Sequence, residues 1–298
     1  MRDYIRKIVP NGLLKVYRSY KKQQTRKAIQ DQRKNNEGWT KIQLLEQLRA
    51  IGIETGDTLL VHSALSKMGY IEGGPTTVVD VLLDAVGEEG HVLMPNSPNA
   101  EYQLEYIRNL SVFDVQNDKS KLGAITETFR NHPEALRSCH PTEPVSCIGP
   151  NAAYFIQDHF GEITPYTSKS PFYRVAEKGG KILMIGVTLD NAGTNLHTLE
   201  DAIEDFKYPI YYPELFHVDV KFPDGTIKSM QTKVHDPVWS KKRHCDDLIP
   251  LFEEHGVLQH VQIGNAKTLL LDAKKMLETM ISLYKTSGVT MYDLGDLK

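Results

Sequence analysis

Cysteine is scarce in this chain of 298 residues. Only Cys139, Cys147 and Cys245 are present, and no two of them stand in Cys-x-x-Cys spacing. An odd and widely spaced set argues against a disulfide framework and against a cysteine-based zinc site. The composition therefore predicts a protein of a reducing cytoplasm.

A long apolar run is also missing. No stretch approaches the roughly 18 apolar residues that a membrane-spanning helix needs. In residues 1–36, charges interrupt the apolar positions throughout, which is not the pattern of a secretion signal. We therefore expect a cytoplasmic protein that contacts, at most, the inner face of the membrane.

Several common motifs do not occur. The chain has no G-x-S-x-G, no P-loop and no G-x-G-x-x-G. Ser63 in particular lacks the flanking glycines of a nucleophile elbow, which argues against a serine hydrolase. A nucleotide-like ligand would need another kind of anion site.

Positive charge is unevenly distributed. Residues 1–37 hold 11 Lys and Arg against 3 Asp and Glu, a net charge of +8, so the remaining residues carry -11 of the total of -3. An acidic body argues against nucleic acid as a partner. It suits a cationic co-substrate such as an amine.

The basic residues 1–38 are predicted to form an amphipathic N-terminal arm, separate from a body at residues 39–298. Its apolar positions fit a helical stripe that is interrupted near residues 10–12; they are Ile5, Ile8, Val9, Leu13, Val16, Tyr17 and Tyr20. The favoured interpretation is an arm that packs on the body or on another subunit of a homo-oligomer. The alternative is a helix lying on an anionic membrane surface.

The body alternates short apolar runs with helical patterns, which predicts an α/β fold with parallel strands. Thr40 is predicted to cap the first helix of the body. Strands are expected at residues 58–61 and 91–96, and a β-hairpin is expected to turn at residues 223–225. Residues 99–122 are interpreted as a loop region that covers a site. Residues 260–284 are interpreted as a strand, a Gly-Asn turn and a closing helix.

The stretch of residues 181–205 has the most informative pattern. A buried strand is followed by a loop of small residues and by a helix predicted to begin near Asn195 or Leu196. His197 and Glu200 would share one face of that helix, where an imidazole can take a proton and a carboxylate can orient it. A solvated ion pair is the plain alternative. A metal site of His197, Glu200 and Asp201 is another, although no second His lies at i+4.

A second pattern follows the first predicted strand. The Gly73-Gly74 pair precedes a helix, so backbone N–H groups and the helix dipole would face an anion such as a diphosphate. The alternative is a Gly-Gly turn with Thr76 as an N-cap. His140, which precedes Pro141, is by itself more typical of a packed histidine.

Four separated blocks carry a family resemblance. Residues 61–96, 121–152, 170–201 and 263–276 occur in the order seen in the aminoglycoside 3-N-acetyltransferase family, and the similarity runs from about residue 40 to residue 284. It does not cover residues 1–37. The resemblance implies a three-layer α/β/α fold that is distinct from the widespread acetyltransferase fold with a splayed sheet.

The resemblance also implies an enzyme that transfers an acyl group from acetyl-coenzyme A, or another acyl-coenzyme A, to an amine, with no metal. Carried over to this sequence, His197 is the general base and Glu200 orients it. The amine attacks the thioester directly, without an acyl-enzyme. The segment that binds coenzyme A comprises five residues: Ser63, Ser66, Gly73, Gly74 and Thr76.

One departure concerns the acceptor. Drug-modifying members typically read His-Pro-Thr-His-Ser where this chain reads from His140 to Pro144, with Glu143 in place of the second histidine. We expect His140 and Glu143 on the substrate side. The departure favours an amino sugar as acceptor, possibly nucleotide-linked and used in surface polysaccharide synthesis.

The alternatives are an aminoglycoside acceptor, a metal-assisted hydrolase, and a non-catalytic scaffold on a membrane.

Overall fold

The computed structural model describes residues 11–99 and 102–295. The described part of the arm forms one helix, α1, over Asn11–Lys34. The predicted interruption near residues 10–12 falls at the start of this helix, where the described residues begin. The predicted apolar positions Ile5, Ile8 and Val9 lie outside the described residues.

The helices of the body are short, apart from the last. In chain order they are α2 (Lys41–Ala50), α3 (Pro75–Val86), α4 (Gln103–Asn109), α5 (Ala124–Arg130), α6 (Ala152–Ile156), α7 (Pro171–Glu177), α8 (Leu189–Ala192), α9 (Thr198–Ala202), α10 (Pro237–Ser240), α11 (Ile249–Glu254) and α12 (Ala273–Ser287). Short 3-10 helices occupy Leu65–Lys67, Gln157–His159, Thr194–His197 and Cys245–Leu248.

Ten strands form two sheets in the described part of the chain. They are β1 (Thr58–Ser63), β2 (His91–Pro95), β3 (Val112–Asp114), β4 (Leu136–Arg137), β5 (Val145–Ile148), β6 (Lys181–Ile185), β7 (Phe216–Lys221), β8 (Ile227–Thr232), β9 (Leu258–Ile263) and β10 (Ala266–Asp272). The large sheet has the order β4-β5-β2-β1-β6-β10-β9. Its centre, β2-β1-β6, is parallel, whereas β5 and β10 run antiparallel to their neighbours there.

Alternating side chains of the central strands enter two different cores, which gives three layers. Leu60 of β1 packs into the core beneath α7 and α12, with Phe172 and Met276. Its neighbours Leu59 and Val61 face the opposite core, with the helices α2, α3 and α5. A strand buried on both faces is a near-continuous apolar run, and the sequence has this pattern there. The predicted three-layer α/β/α fold is confirmed.

The hairpin predicted at residues 223–225 is present as β7 and β8, which pair antiparallel from Lys221 and Ile227. It belongs to a second sheet, because β3 pairs parallel with β7. The interpretation of residues 99–122 as a loop region is therefore wrong in part, since α4 and β3 lie there. Both are very short, and α4 becomes stable only by burying Leu104 and Ile107 against the hairpin.

The C-terminal part differs from its prediction in a similar way. The Gly264-Asn265 turn joins two antiparallel strands, β9 and β10, rather than a strand and a helix. The run AKTLLLDAKKM is typical of a helix by composition, but its first seven residues pair with β6 and β9. Asp272 ends the strand and caps α12, since its side chain accepts a hydrogen bond from the Lys275 N–H.

The junction between the arm and the body contacts the loop after β1. The Gln32 side chain accepts a hydrogen bond of 2.9 Å from the Tyr70 N–H. Trp39 forms a bridge with Ile71, and its indole N–H donates to Asn265. Thr40 caps α2 in a reciprocal capping box, as predicted. No helix among residues 11–99 and 102–295 combines the length and the hydropathy needed to cross a membrane.

Candidate active site

A cavity of about 250 Å³ opens at the carboxyl ends of the parallel strands, where α/β proteins bind ligands. Its walls come from β1, from the segments that follow β2 and β6, and from the loop before β5. The lining residues are Val61, His62, Ser63, Pro95, Ser97, Asn99, Leu122, Thr126, Glu143, Val187, Asn191, Ala192 and Thr194.

The segment after β6 brings the predicted base to this end of the sheet. Gly186 has a φ of +71°, and a Cβ there would approach the Lys67 side chain to 2.5 Å, so only glycine suits the turn. The helix predicted to begin near Asn195 or Leu196 is instead a 3-10 helix followed by α9, and α8 lies in the predicted loop before it. His197 ends the 3-10 helix whose first residue, Thr194, lines the cavity.

His197 and Glu200 form a buried pair, with exposed fractions of 5% and 4%. The Glu200 Oε2 atom lies 2.9 Å from the His197 Nδ1 atom. Because a carboxylate only accepts hydrogen bonds, Nδ1 carries the proton and Nε2 keeps a lone pair. At this degree of burial the pair is not a solvated ion pair. Its geometry suits a general base that a carboxylate orients.

Glu200 also holds two other side chains. The His235 Nε2 atom donates to Oε2 over 2.9 Å, and the Tyr292 hydroxyl donates to Oε1 over 2.6 Å. The ring of His235 lies 4.3 Å from that of His197. We call His197, Glu200, His235 and Tyr292 the Glu200 cluster.

Burial and charge set the protonation states in this cluster. Burial would raise the pKa of Glu200, but His197 and His235 together outweigh it and lower that pKa. Burial lowers the pKa of His197, which the charge of Glu200 opposes and the charge of Arg243 assists. Burial lowers the pKa of His235 to about 3. At neutral pH the cluster therefore contains an ionised carboxylate and two neutral imidazoles.

Sequence reasoning did not identify His235 or Tyr292. His235 lies between β8 and α10, and 35 residues separate it from Glu200; 92 residues separate Tyr292 from Glu200. Neither lies in a helix, so no spacing to a neighbouring polar residue marks it as part of a site. Only the pairing of distant segments brings them together.

The three residues His197, Glu200 and His235 also form the one group of the described chain with metal-ligand geometry. Asp201, which the metal alternative invoked, instead accepts hydrogen bonds from Thr164 and Tyr211. Two ligands of a tetrahedral zinc ion lie about 3.4 Å apart. The His197 Nδ1 and His235 Nε2 atoms each lie only 2.9 Å from Glu200 Oε2. A metal ion could bind here only if these nitrogens moved away from the carboxylate oxygen.

Glu143 lies on the cavity wall, 8% exposed. The Ser97 hydroxyl donates to its Oε2 over 2.5 Å, and the Gln103 amide donates to its Oε1 over 2.7 Å. Burial raises the pKa of Glu143, although both donors oppose this. Gln103 also accepts a bond from the His235 N–H, so Glu143 is linked to the Glu200 cluster.

His140 is fully buried and does not line the cavity. Its Nε2 atom lies 3.2 Å from the Glu162 carbonyl oxygen, and its Nδ1 atom lies 3.1 Å from the Thr142 hydroxyl. Its ring stacks on that of His159 at 4.8 Å. These contacts fix the loop that carries Glu143.

The segment predicted to bind coenzyme A extends from the end of β1 to the start of α3. The Ser63 hydroxyl is buried beside the cavity, without a hydrogen-bond partner in the described chain. Ser66 is exposed in the next 3-10 helix. Gly73 and Gly74 have φ values of +77° and +69°.

The helix after the glycines begins two residues earlier than a Thr76 N-cap predicts. Gly74 is the N-cap of α3 and Pro75 its first residue, so Thr76 is not the cap. Pro75 has no N–H, and the N–H groups of Thr76 and Thr77 have no partner within the helix. Thr76 is exposed, so this turn presents N–H donors to solvent.

Comparison with known proteins identifies the family. A family model described as aminoglycoside 3-N-acetyltransferase matches residues 60–285. Aminoglycoside N(3)-acetyltransferase VIII of Streptomyces fradiae is 33% identical over 184 residues, which are 55% of this chain and 62% of that protein. The chain thus aligns with less than two thirds of that relative's length.

Two solved structures extend the similarity over the fold. AAC-IIIb in a binary complex with CoASH matches with a TM-score of 0.70 and 27% identity, over 83% of this chain and 97% of that one. AAC-VIa bound to sisomicin matches with a TM-score of 0.69 and 25% identity, over 82% and 97%. The family model covers most of this chain, and the chain therefore belongs to the aminoglycoside 3-N-acetyltransferase family.

Proposed function

We propose that the chain is an N-acetyltransferase that moves an acetyl group from acetyl-coenzyme A to an amine of an aminoglycoside. The observation that carries the proposal is the buried His197–Glu200 pair, in which an ionised carboxylate fixes the imidazole with one basic nitrogen free. Family membership supplies the reaction class for this geometry.

The segment after β1 fits a coenzyme A donor on two observations. The paired glycines at positive φ precede a helix N-terminus that suits a diphosphate. Ser63 offers a buried hydroxyl with no partner in the described chain. We assign Ser63, Ser66, Gly73, Gly74 and Thr76 to donor binding.

Acetyl-coenzyme A would supply an acetyl group activated as a thioester. His197 Nε2 takes a proton from the acceptor amine while the amine nitrogen bonds to the acetyl carbon and the C–S bond breaks. Glu200 stabilises the imidazolium that forms, and that proton then passes to the departing thiolate. The Ser63 hydroxyl, which is buried without a partner in the described chain, is assigned to donate to the developing oxyanion.

The acceptor is proposed from the relatives and from the charge of the cavity. AAC-VIa is bound to sisomicin in its solved structure, and the curated relatives are aminoglycoside acetyltransferases. Glu143 adds a buried carboxyl group to the cavity wall, which suits an acceptor with several amines or hydroxyls. These facts favour an aminoglycoside over the nucleotide-linked amino sugar expected from the sequence. His140 then acts by positioning the loop of Glu143.

The test is release of free thiol from acetyl-coenzyme A with a panel of acceptors. Aminoglycosides should be turned over, and His197→Ala should lower that turnover on the order of 100- to 10,000-fold. Activity with nucleotide-linked amino sugars alone would replace the proposed acceptor and keep the chemistry. Failure to bind coenzyme A would contradict the proposal as a whole, and loss of activity with a chelator would favour a metal-assisted hydrolase.

A further inference from the structure

Helix α1 contacts the body with only one of its faces. Residues 11–34 form a continuous helix of 24 residues, about 36 Å long. In its C-terminal half, Thr25, Ile29 and Gln32 are half-buried, and their spacing places them on one face. Gln32 holds the loop after β1 through the Tyr70 N–H.

A different face of the same helix exposes large apolar side chains. Leu13, Val16, Tyr17 and Tyr20 are 60%, 66%, 56% and 56% exposed, and their spacing of i, i+3, i+4 and i+7 forms a single stripe. At 3.6 residues per turn, the centre of this stripe lies about 140° around the helix from the face that contacts the body. The stripe therefore points away from the body.

The charge of α1 decides between the surfaces that could cover this stripe. Residues 11–34 contain eight Lys and Arg and a single Asp, a net charge of +7. Pairing of the helix with a second copy of itself would place +7 against +7. An anionic surface would instead be attracted by these charges while the apolar stripe is buried.

We propose that α1 docks the protein on an anionic lipid membrane. The helix lies in the plane of the interface, with the apolar stripe among the lipids and the exposed Lys21 and Lys27, which flank the stripe, at the headgroups. Because the face that contacts the body is nearly opposite, the body stays on the water side. This inference does not depend on the proposed function, because no residue of α1 belongs to the site.

The experiment is co-sedimentation of the full chain with two kinds of vesicle. One kind is phosphatidylcholine alone, and the other is phosphatidylcholine and phosphatidylglycerol in equal parts. We expect binding to the anionic vesicles and little to the neutral ones. That binding should weaken at least tenfold between about 0.1 M and about 0.5 M salt, because salt screens the exposed charges.

Two pairs of double variants separate the apolar and the charged contributions. Leu13→Ser with Val16→Ser should lose binding at least tenfold, whereas Ile227→Ser with Val238→Ser, which are similarly exposed on the body, should not. Lys21→Gln with Lys27→Gln should weaken binding on the order of tenfold at low salt. The control for charge is Lys274→Gln with Lys275→Gln, two exposed lysines of α12.

Several results would overturn the proposal. These are no binding to anionic vesicles, equal binding to neutral ones, or equal loss in the control variants. Self-association of the full chain that the Leu13 and Val16 substitutions abolish, without vesicle binding, would identify a second copy as the occupant. Thiol-release activity without vesicles is measured in parallel, so failure of docking is distinct from failure of the proposed function.

Discussion

At the scale of single residues, His197 has the largest predicted effect on activity. His197→Ala should lower kcat/KM on the order of 100- to 10,000-fold, because the general base is lost. Binding of coenzyme A should stay nearly unchanged, since no residue assigned to the donor contacts the ring. Steady-state kinetics and calorimetric titration measure the two effects. His260→Ala, an exposed histidine of β9, is the control. Near-full activity of His197→Ala would remove the assignment.

The pH dependence of catalysis tests the environment of the same residue. Burial lowers the pKa of His197 below its ordinary value of about 6.5. The base therefore becomes protonated only at a pH lower than that of an ordinary histidine. The acid limb of kcat/KM should therefore lie below pH 6.5. Glu200→Gln removes a charge that raises this pKa, so the limb should move to still lower pH and the plateau should fall. A shift toward higher pH would contradict the arrangement.

Glu143 is expected to affect binding of the acceptor and not binding of acetyl-coenzyme A. Glu143→Gln keeps the size of the side chain but removes its charge, so KM for the acceptor should rise about 10- to 100-fold, as for a lost hydrogen bond to a charged group. KM for acetyl-coenzyme A should not change. Glu162→Gln, a carboxylate that is bound to Thr167 and Lys169 and does not line the cavity, is the matched control. Equal effects on both substrates would point to a structural role.

At the scale of elements, the turn before α3 is the next test. A Cβ at Gly73, where φ is +77°, would collide with the Thr77 side chain in the proposed donor-binding turn. Gly73→Ala should therefore raise KM for acetyl-coenzyme A severalfold. The control is Gly225→Ala in the β7–β8 turn, where φ is +84° and a Cβ would meet no other atom. Its backbone strain should cost about 1–2 kcal/mol of stability without changing KM for acetyl-coenzyme A. Equal KM values for acetyl-coenzyme A in both variants would contradict the assignment of this turn to donor binding.

The sequence allowed prediction of elements whose own residues determine them. The parallel strands were predictable because burial on both faces requires an apolar run, and α2 was predictable from its N-cap residue Thr40. β10 was not, because its composition favours a helix and its pairing partners β6 and β9 decide the outcome. The same holds for α4 and β3, which are too short for a periodic signal.

The residues of the candidate site also fall into a group that local sequence predicts and a group that depends on tertiary contacts. His197 and Glu200 are three residues apart and could be paired from their spacing. His235 and Tyr292 could not, since only tertiary contacts bring them to Glu200. A local pattern identifies the proposed catalytic pair but not the residues that complete its environment.

At the scale of the whole molecule, buried histidines predict acid lability. Five have pKa values below the ordinary range because burial disfavours their charged form: His62, His140, His159, His197 and His235. The pKa is about 4 for His62 and about 3 for His159 and His235, against about 6.5 in the unfolded chain. The unfolded state thus takes up protons first. The stability that these residues contribute is present above pH 6.5 and declines as pH falls toward about 4.

Denaturant unfolding from pH 7.5 to pH 5 measures this loss, which reaches about 1.4 kcal/mol per pH unit for each such histidine. Asp201 opposes it in part, because burial raises its pKa to about 6. His159→Gln should make the pH dependence of the unfolding free energy less steep, and the exposed His260→Gln should not. A stability that is constant down to pH 5 would contradict the prediction.

The Glu200 cluster has a consequence for genetics. Its hydrogen-bond donors come from three segments spread over nearly a hundred positions, yet they all meet on one carboxylate. In a screen for inactive mutants, substitutions at His197, His235 and Tyr292 would fall at distant places in the gene but would share one kind of defect. Combining two of them should add little to the defect of either one, so their epistasis would reveal the common partner without any structural information.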